Sequence, residues 1–253
     1  MIKKLAICDW GIGGIGVLKM LRENHGVNSD IIYLSDAGFV PYGKVPEKEL
    51  TSRWHEVKNF LLSQGADHII VACNALSTVV TNEENVTTIV EIGKRIVAEK
   101  SDIELGIIGG VITINSGIYR TNSKRHQFNI AQPLSALVER GELSGEEVRQ
   151  QIENIIAPIR ESKEILLACT HYPALLPIFT ELYPNIDWID PAPTLCRVIL
   201  DNFDLTHGNR DHQFYTTGST IEMQESAFKA FSFTMKEADL RELSLSLSDN
   251  ISK

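Results

Sequence analysis

Two short stretches set the pattern of the chain: Ile69-Ile70-Val71-Ala72-Cys73-Asn74 and Ile165-Leu166-Leu167-Ala168-Cys169-Thr170. Each is an apolar, partly β-branched run of strand length that ends at a cysteine followed by a small polar residue. Both are entered from charged residues, Asp67-His68 and Lys163-Glu164. Such a run suits a strand buried on both faces of a parallel sheet. Similar apolar runs predict further strands over residues 4–8, 31–34, 89–92, 105–110, 127–130, 187–190 and 213–216.

Helical signals fall between these runs. A glycine-rich turn over 9–16 opens a helix through about Arg22, and Pro46-Glu47 starts one whose stripe is Trp54, Val57, Phe60 and Leu61, ended by Gly65. Further helical segments are expected at 77–80, 113–119, 133–138, 144–156 and 221–231, with a helix start at 172–176. Ser144 and Glu147 have capping-box spacing at the head of the 144–156 helix. Residues 93–99 are a helix start or linker, 207–212 a polar surface loop, and the Ser-Leu alternation from Glu242 a loosely held tail.

Strands alternating with helices give the α/β pattern. Each half repeats one order: a glycine-rich first turn, a second strand, then a strand ending in Ala-Cys-polar. The expectation is two similar α/β domains with parallel sheets and the active site in the cleft between them. In open α/β sheets ligands gather at strand carboxyl ends, where both cysteines would sit.

Length and composition narrow the function. The 253 residues can bury a sizeable core, and 43% hydrophobic with 23% charged residues is ordinary for a globular protein. A net charge of -9 argues against a broad surface for nucleic acid or anionic membrane, and Lys3-Lys4 and Lys124-Arg125 are solvated surface. Asp9 interrupts the first apolar run too early for a signal peptide, and no stretch approaches the roughly 18 to 20 apolar residues of a span. A cytoplasmic protein is expected. Cys8, Cys73, Cys169 and Cys196 are too few for a disulfide scaffold and show no CxxC zinc pattern.

Gly11, Gly13 and Gly16 satisfy the letters of GxGxxG, and Asp36 stands about twenty residues on, as in dinucleotide-binding folds. Asp9 immediately before the turn would oppose a pyrophosphate at the helix start. Glycines used only for a tight turn and close packing are the plainer alternative.

A lone buried cysteine is usually inert. Two at equivalent strand ends invite chemistry, because a following helix start lowers a thiol pKa. A Cys-His nucleophile would use one and leave the other unexplained, and a redox dithiol would show close spacing. Two thiols on opposite faces of a carbon acid would account for both: one removes the α-proton, the other returns a proton from the far side. His171 could tune its neighbour Cys169, and Asp9 could hydrogen-bond Cys73 or a substrate ammonium.

The ordered motifs resemble those of glutamate racemase, in the cofactor-independent aspartate/glutamate racemase superfamily. They are Asp9-Trp10-Gly11-Ile12-Gly13-Gly14, Pro41-Tyr42-Gly43, Val71-Ala72-Cys73-Asn74, Pro133-Leu134 with Val138-Glu139, Cys169-Thr170-His171-Tyr172-Pro173, Ile189-Asp190 and Phe214-Tyr215-Thr216-Thr217-Gly218. The resemblance runs from about residue 4 to about residue 232. It implies amino-acid racemisation by Cys73 and Cys169 with no PLP and no metal, a D-amino acid for peptidoglycan, and an amino acid as partner. Asp9 would assist Cys73, and His171 with Glu139 would assist Cys169. Tyr42, Gly43, Asn74, Thr113 and Thr170 would bind substrate, with Trp10 and Ala75 at substrate-binding positions. The same resemblance implies one domain from 1–97 plus 208–253 and a second from 98–207; a homodimer is a further expectation.

Three positions depart from the family pattern. Members usually have Ser where Trp10 stands, Thr where Ala75 stands and a further Thr where Gly110 stands. Each lost hydrogen bond to a charged group would cost about 1.5 to 3 kcal/mol. The expectation is intact acid-base machinery around a pocket that prefers a bulkier or less polar amino acid. A non-catalytic amino-acid-binding relative and a nucleotide-dependent oxidoreductase are the alternatives from other classes.

Overall fold

The computed structural model describes residues 2–24, 26–81 and 83–245. Their strands are β1 (Lys4–Asp9), β2 (Asp30–Ser35), β3 (His68–Val71), β4 (Val86–Thr88), β5 (Leu105–Gly109), β6 (His126–Ile130), β7 (Glu164–Ala168), β8 (Asp187–Ile189), β9 (His212–Thr216) and β10 (Leu240–Glu242). The helices are α1 (Ile15–Glu23), α2 (Glu47–Ser63), α3 (Asn74–Ser77), α4 (Ile89–Glu99), α5 (Val111–Asn115), α6 (Gln132–Glu139), α7 (Glu146–Ile156), α8 (Leu176–Leu182), α9 (Ala192–Asn202) and α10 (Thr220–Phe231).

The strands form two sheets, ordered β10-β9-β2-β1-β3-β4 and β6-β5-β7-β8, with every pairing parallel. The order β2-β1-β3-β4 in one is the order β6-β5-β7-β8 in the other, so the expected likeness between halves is real. β3 and β7 occupy equivalent places. Both are buried over their apolar lengths, as are β1 and β5. A parallel sheet needs helices on both faces, and that cover explains continuous apolar runs in place of alternation.

One apolar cluster joins the halves. It runs from Ile7, Ile12 and Ile15 to Leu134, Val138 and Leu167. Helix α9 packs on α1 and α4, and the Cys196 thiol lies 3.7 Å from the Val17 carbonyl, which it can donate to. No helix of the described residues is long and apolar enough to cross a membrane.

Several local expectations are corrected. Residues 89–92 open α4 and are not a strand; the strand is the preceding Val86–Thr88. Thr88 accepts from the Glu91 N–H and caps the helix, and Ile89, Val90, Ile92, Gly93 and Val97 form its buried side. Ser144 does not cap α7, whose first turn follows Gly145 at φ 106° with no side-chain cap. Helix α9, preceded by Pro191 and with Pro193 in its first turn, was not among the expected helices. His212 begins β9 and is not loop. The tail is held at its start: Glu242 lies in β10, the Leu243 N–H donates to the Thr216 carbonyl, and Leu243 and Leu245 pack on the core beneath α2. The remainder of that tail, 246–253, lies outside the described residues.

Candidate active site

Parallel strands deliver their carboxyl ends to one edge of each sheet. β1 ends at Asp9, β3 leads through Ala72 to Cys73, β5 leads into Gly110, and β7 leads into Cys169. These ends wall a single cavity. From the six-stranded sheet it takes Asp9, Trp10, Tyr42, Gly43, Cys73, Asn74 and Ala75; from the four-stranded sheet Gly110, Thr113, Cys169, Thr170 and His171. Glu139 stands behind His171 and does not line the cavity.

The two thiols sit in unlike surroundings. Cys73 is buried, and burial pushes its pKa well up, with the Asp9 and Cys169 charges adding to the effect. It is a protonated acid at neutral pH. Cys169 is half-buried, with Sγ 3.7 Å from His171 Nδ1. His171 Nε2 lies 2.6 Å from Glu139 Oε2. Burial opposes charge on His171, but its bonds to Cys169 and Glu139 outweigh this and hold its pKa well above the ordinary value. With a sulfur at one ring nitrogen and a carboxylate at the other, both nitrogens can serve as donors, which is the imidazolium form.

Asp9 is also buried. Burial raises its pKa, against the opposing effect of His171 and of hydrogen bonds from Thr170 and Trp10. The Trp10 N–H donates to Oδ1 at 2.7 Å, and the Thr170 hydroxyl donates to Oδ2 at 2.7 Å. Asp9 acts on Cys73 through charge, while its hydrogen bonds go to Trp10 and across the cleft to Thr170. The Ile12 N–H donates to Glu139 Oε2 at 3.2 Å, so both acidic groups tie one half to the other.

The dinucleotide alternative does not fit these contacts. The glycine turn packs on the second half, where a Cβ at Gly13 would lie 2.7 Å from His171 Nδ1. The Ile12 N–H, in the turn that leads into α1, already serves a carboxylate. Asp36 is occupied by Arg53 at 2.5 and 2.7 Å, by the Tyr42 hydroxyl at 2.7 Å and by the Thr217 hydroxyl at 2.8 Å. No acceptor is spare for a ribose. The same bond corrects one detail of Tyr42: its ring lines the cavity, but its hydroxyl donates to Asp36.

No protein-family model matches the chain. Its curated relatives include the glutamate racemases of Aquifex aeolicus, 33% identical over 234 residues, and Carboxydothermus hydrogenoformans, 31% identical over 233. These alignments cover 87% and 85% of this chain, and 91% and 86% of the relatives. The chain belongs to the glutamate racemase family. It is accordingly an isomerase. The solved glutamate racemase of Thermus thermophilus in complex with beta-chloro-D-alanine matches it with a TM-score of 0.83 at 25% identity, over 96% of this chain and 97% of that one.

Against the glutamate racemase pattern, the three departing positions all line the cavity. Trp10 gives its indole N–H to the Phe39 carbonyl at 3.1 Å, leaving the ring as apolar wall. Ala75 offers a methyl. The space at Gly110 is taken by a residue that sequence reasoning missed, Gln132. Its Oε1 would lie 2.9 Å from a Cβ at Gly110 and 2.5 Å from one at Gly43. That oxygen accepts from the Val111 N–H at 3.2 Å, and Nε2 donates to Ser135, also in the cavity wall. The available signal was position: Gln132 follows the carboxyl end of β6, at the same sheet edge as the cysteines, just before Pro133.

Proposed function

We propose that this racemase acts on a free amino acid by moving the α-proton between Cys73 and Cys169, without a cofactor. One observation carries the proposal: two thiols reach one cavity from equivalent strand ends, one held neutral and the other beside an imidazolium. That pairing supplies an acid and a base at once. Cys169, as thiolate beside His171, takes the α-proton and becomes a thiol; Cys73 gives its proton to the opposite face and becomes a thiolate. Configuration inverts, and the reverse reaction restores the start. In this proposal Asp9 and Thr170 would meet the ammonium group, and Asn74 the carboxylate.

Glutamate is the first substrate to consider. A less polar amino acid is the second, favoured by the Trp10 ring and Ala75 methyl in the wall and by the absence of Lys or Arg among the lining residues. The proposal includes two lobes, 1–97 with 208–253 and 98–207, a cytoplasmic location and a homodimer.

The test is α-proton exchange. Purified protein with no added cofactor is incubated with a panel of amino acids in heavy water and read by mass spectrometry, beside Cys73→Ala and Cys169→Ala. Exchange by the parent, reduced by about 10² to 10⁴-fold in each variant, is expected for loss of an acid-base group. No exchange with any amino acid would sink the enzymatic proposal; exchange with apolar amino acids but not glutamate would select the second substrate class.

A further inference from the structure

Asn74 is 3% exposed and lines the cavity, yet its Nδ2 has no hydrogen-bond partner. A buried amide with an unused N–H₂ is costly, so a ligand that accepts from it gains correspondingly. Which end of the amide faces the cavity decides what it can bind. A carboxylate needs the N–H₂; the carbonyl oxygen in its place would repel it.

The other end of the amide is fixed from across the cleft. The Tyr119 hydroxyl, beyond α5 in the half built on the four-stranded sheet, donates to Asn74 Oδ1 at 2.6 Å. Tyr119 is itself buried in the apolar cluster with Val90, Val97, Ile107 and Leu166. Burial pushes its phenol pKa up, so it keeps the proton it donates to Asn74. The ring is seated on a glycine inside a helix: a Cβ at Gly93 of α4 would lie 2.6 Å from both Cε1 and the hydroxyl. An interior helical glycine is less favourable than alanine, and at this position its missing Cβ is what admits the tyrosine.

We propose that Tyr119 is a positioning residue, holding the Asn74 amide with its N–H₂ toward the carboxylate of the bound amino acid. Tyr119 touches no substrate. It acts by favouring that orientation, since with the amide flipped the hydroxyl would accept from the N–H₂ and its own hydrogen would have no acceptor among the described residues; because the two residues come from opposite halves, the orientation is set only when the halves are together. This role rests on the amino-acid racemase proposal above.

A double-mutant cycle tests it. Tyr119→Phe keeps the ring and removes the hydroxyl; it is expected to lower kcat/KM for racemisation about tenfold. Asn74→Ala is expected to lower it at least as far, and Tyr119→Phe/Asn74→Ala no further than Asn74→Ala alone. Multiplying losses in the double variant would mean that Tyr119 acts through general structure, and would overturn the proposal. Gly93→Ala leaves both side chains chemically intact while displacing the ring, and should reproduce the Tyr119→Phe loss; parent-like activity would count against the seat. If the parent exchanges no α-proton, the racemase proposal fails by itself. The same cycle is then read on the Kd of D- and L-glutamate by calorimetry, where coupling sustains the positioning role and additivity, or no binding by the parent, ends it.

Discussion

His171 bridges a thiol and a carboxylate, and both neighbours favour its protonated form. Burial works against the charge, yet the bonds to Cys169 and Glu139 prevail and its pKa lies well above the ordinary value near 6.5. A pKa raised on folding stabilises the fold fully below the unfolded value, and that contribution is lost as pH rises through the folded value. Glu139→Gln keeps an oxygen for the Ile12 N–H but removes the charge facing Nε2. We expect it to be destabilised by about 1.5–3 kcal/mol near pH 6, the range for a hydrogen bond to a charged group, with the gap to the parent narrowing as pH rises. Thermal midpoints of both proteins across pH 6 to 10 check this; a gap independent of pH would show that His171 does not carry the proton. At this scale the two cysteines were legible, because each closes an apolar strand with a small polar residue after it. Glu139 was legible only through the family resemblance. Tyr119 and Gln132 were not, since each matters through a partner twenty or more residues away, Asn74 for one and Gly110 and Gly43 for the other.

The turn between β1 and α1 shows how an element rather than a residue sets the site. Gly13 has its would-be Cβ directed at Thr170 and His171, the latter at 2.7 Å, so this turn and the one after β7 can touch only because the side chain is missing. Gly13→Ala is expected to keep the helices, destabilise by about 1–3 kcal/mol as overpacking does, and lower kcat/KM about 10²-fold by shifting Thr170 and His171 off Asp9 and Cys169. Circular dichroism beside exchange kinetics separates the two effects; a fully active Gly13→Ala would mean the turns do not fix the catalytic spacing. The glycine letters alone suggested a nucleotide, and the contacts of Asp36 and Ile12 replace that suggestion. Secondary structure was legible wherever an apolar run had clear charged or glycine borders, as at β1, β3, β5 and β7. It failed where signals overlapped. The run Ile89-Val90-Glu91-Ile92 is β-branched enough for a strand, but its apolar positions continue at helical spacing to Val97 and Thr88 caps it. At α9, prolines at 191 and 193 obscured a helix that tolerates them because first-turn N–H groups have no intrahelical partner. β10 is only three residues long, too short for periodicity to register.

The same strand order in two sheets brings two equivalent strand ends to one cavity, and this requires the halves to hold a fixed relation. Polar ties cross the cleft at Asp9–Thr170, Ile12–Glu139 and Asn74–Tyr119, and Ser226 of α10 donates to the Glu139 carbonyl at 2.6 Å. Beneath them, the apolar cluster from Ile7 and Ile12 through Leu134 and Val138 to Leu167 runs without a break between the halves. Neither half can unfold without exposing the other's share of that cluster. The chain also crosses between the sheets twice, between β4 and β5 and again between β8 and β9. A single cooperative transition is therefore expected in denaturant. Tryptophans report on each half: Trp54 on α2 beside the six-stranded sheet, and Trp188 in β8 stacked on Phe179 at 4.5 Å. Leu167→Ala, a truncation of a side chain 1% exposed in β7, should cost about 2–5 kcal/mol. It should shift the unfolding midpoints of a Trp54-only and a Trp188-only protein together, with no plateau between them. If Leu167→Ala instead unfolds the Trp188 half at lower denaturant while Trp54 stays native, the halves are independent domains. The cross-cleft geometry of Cys73 and Cys169 would then depend on bound substrate and not on the common core.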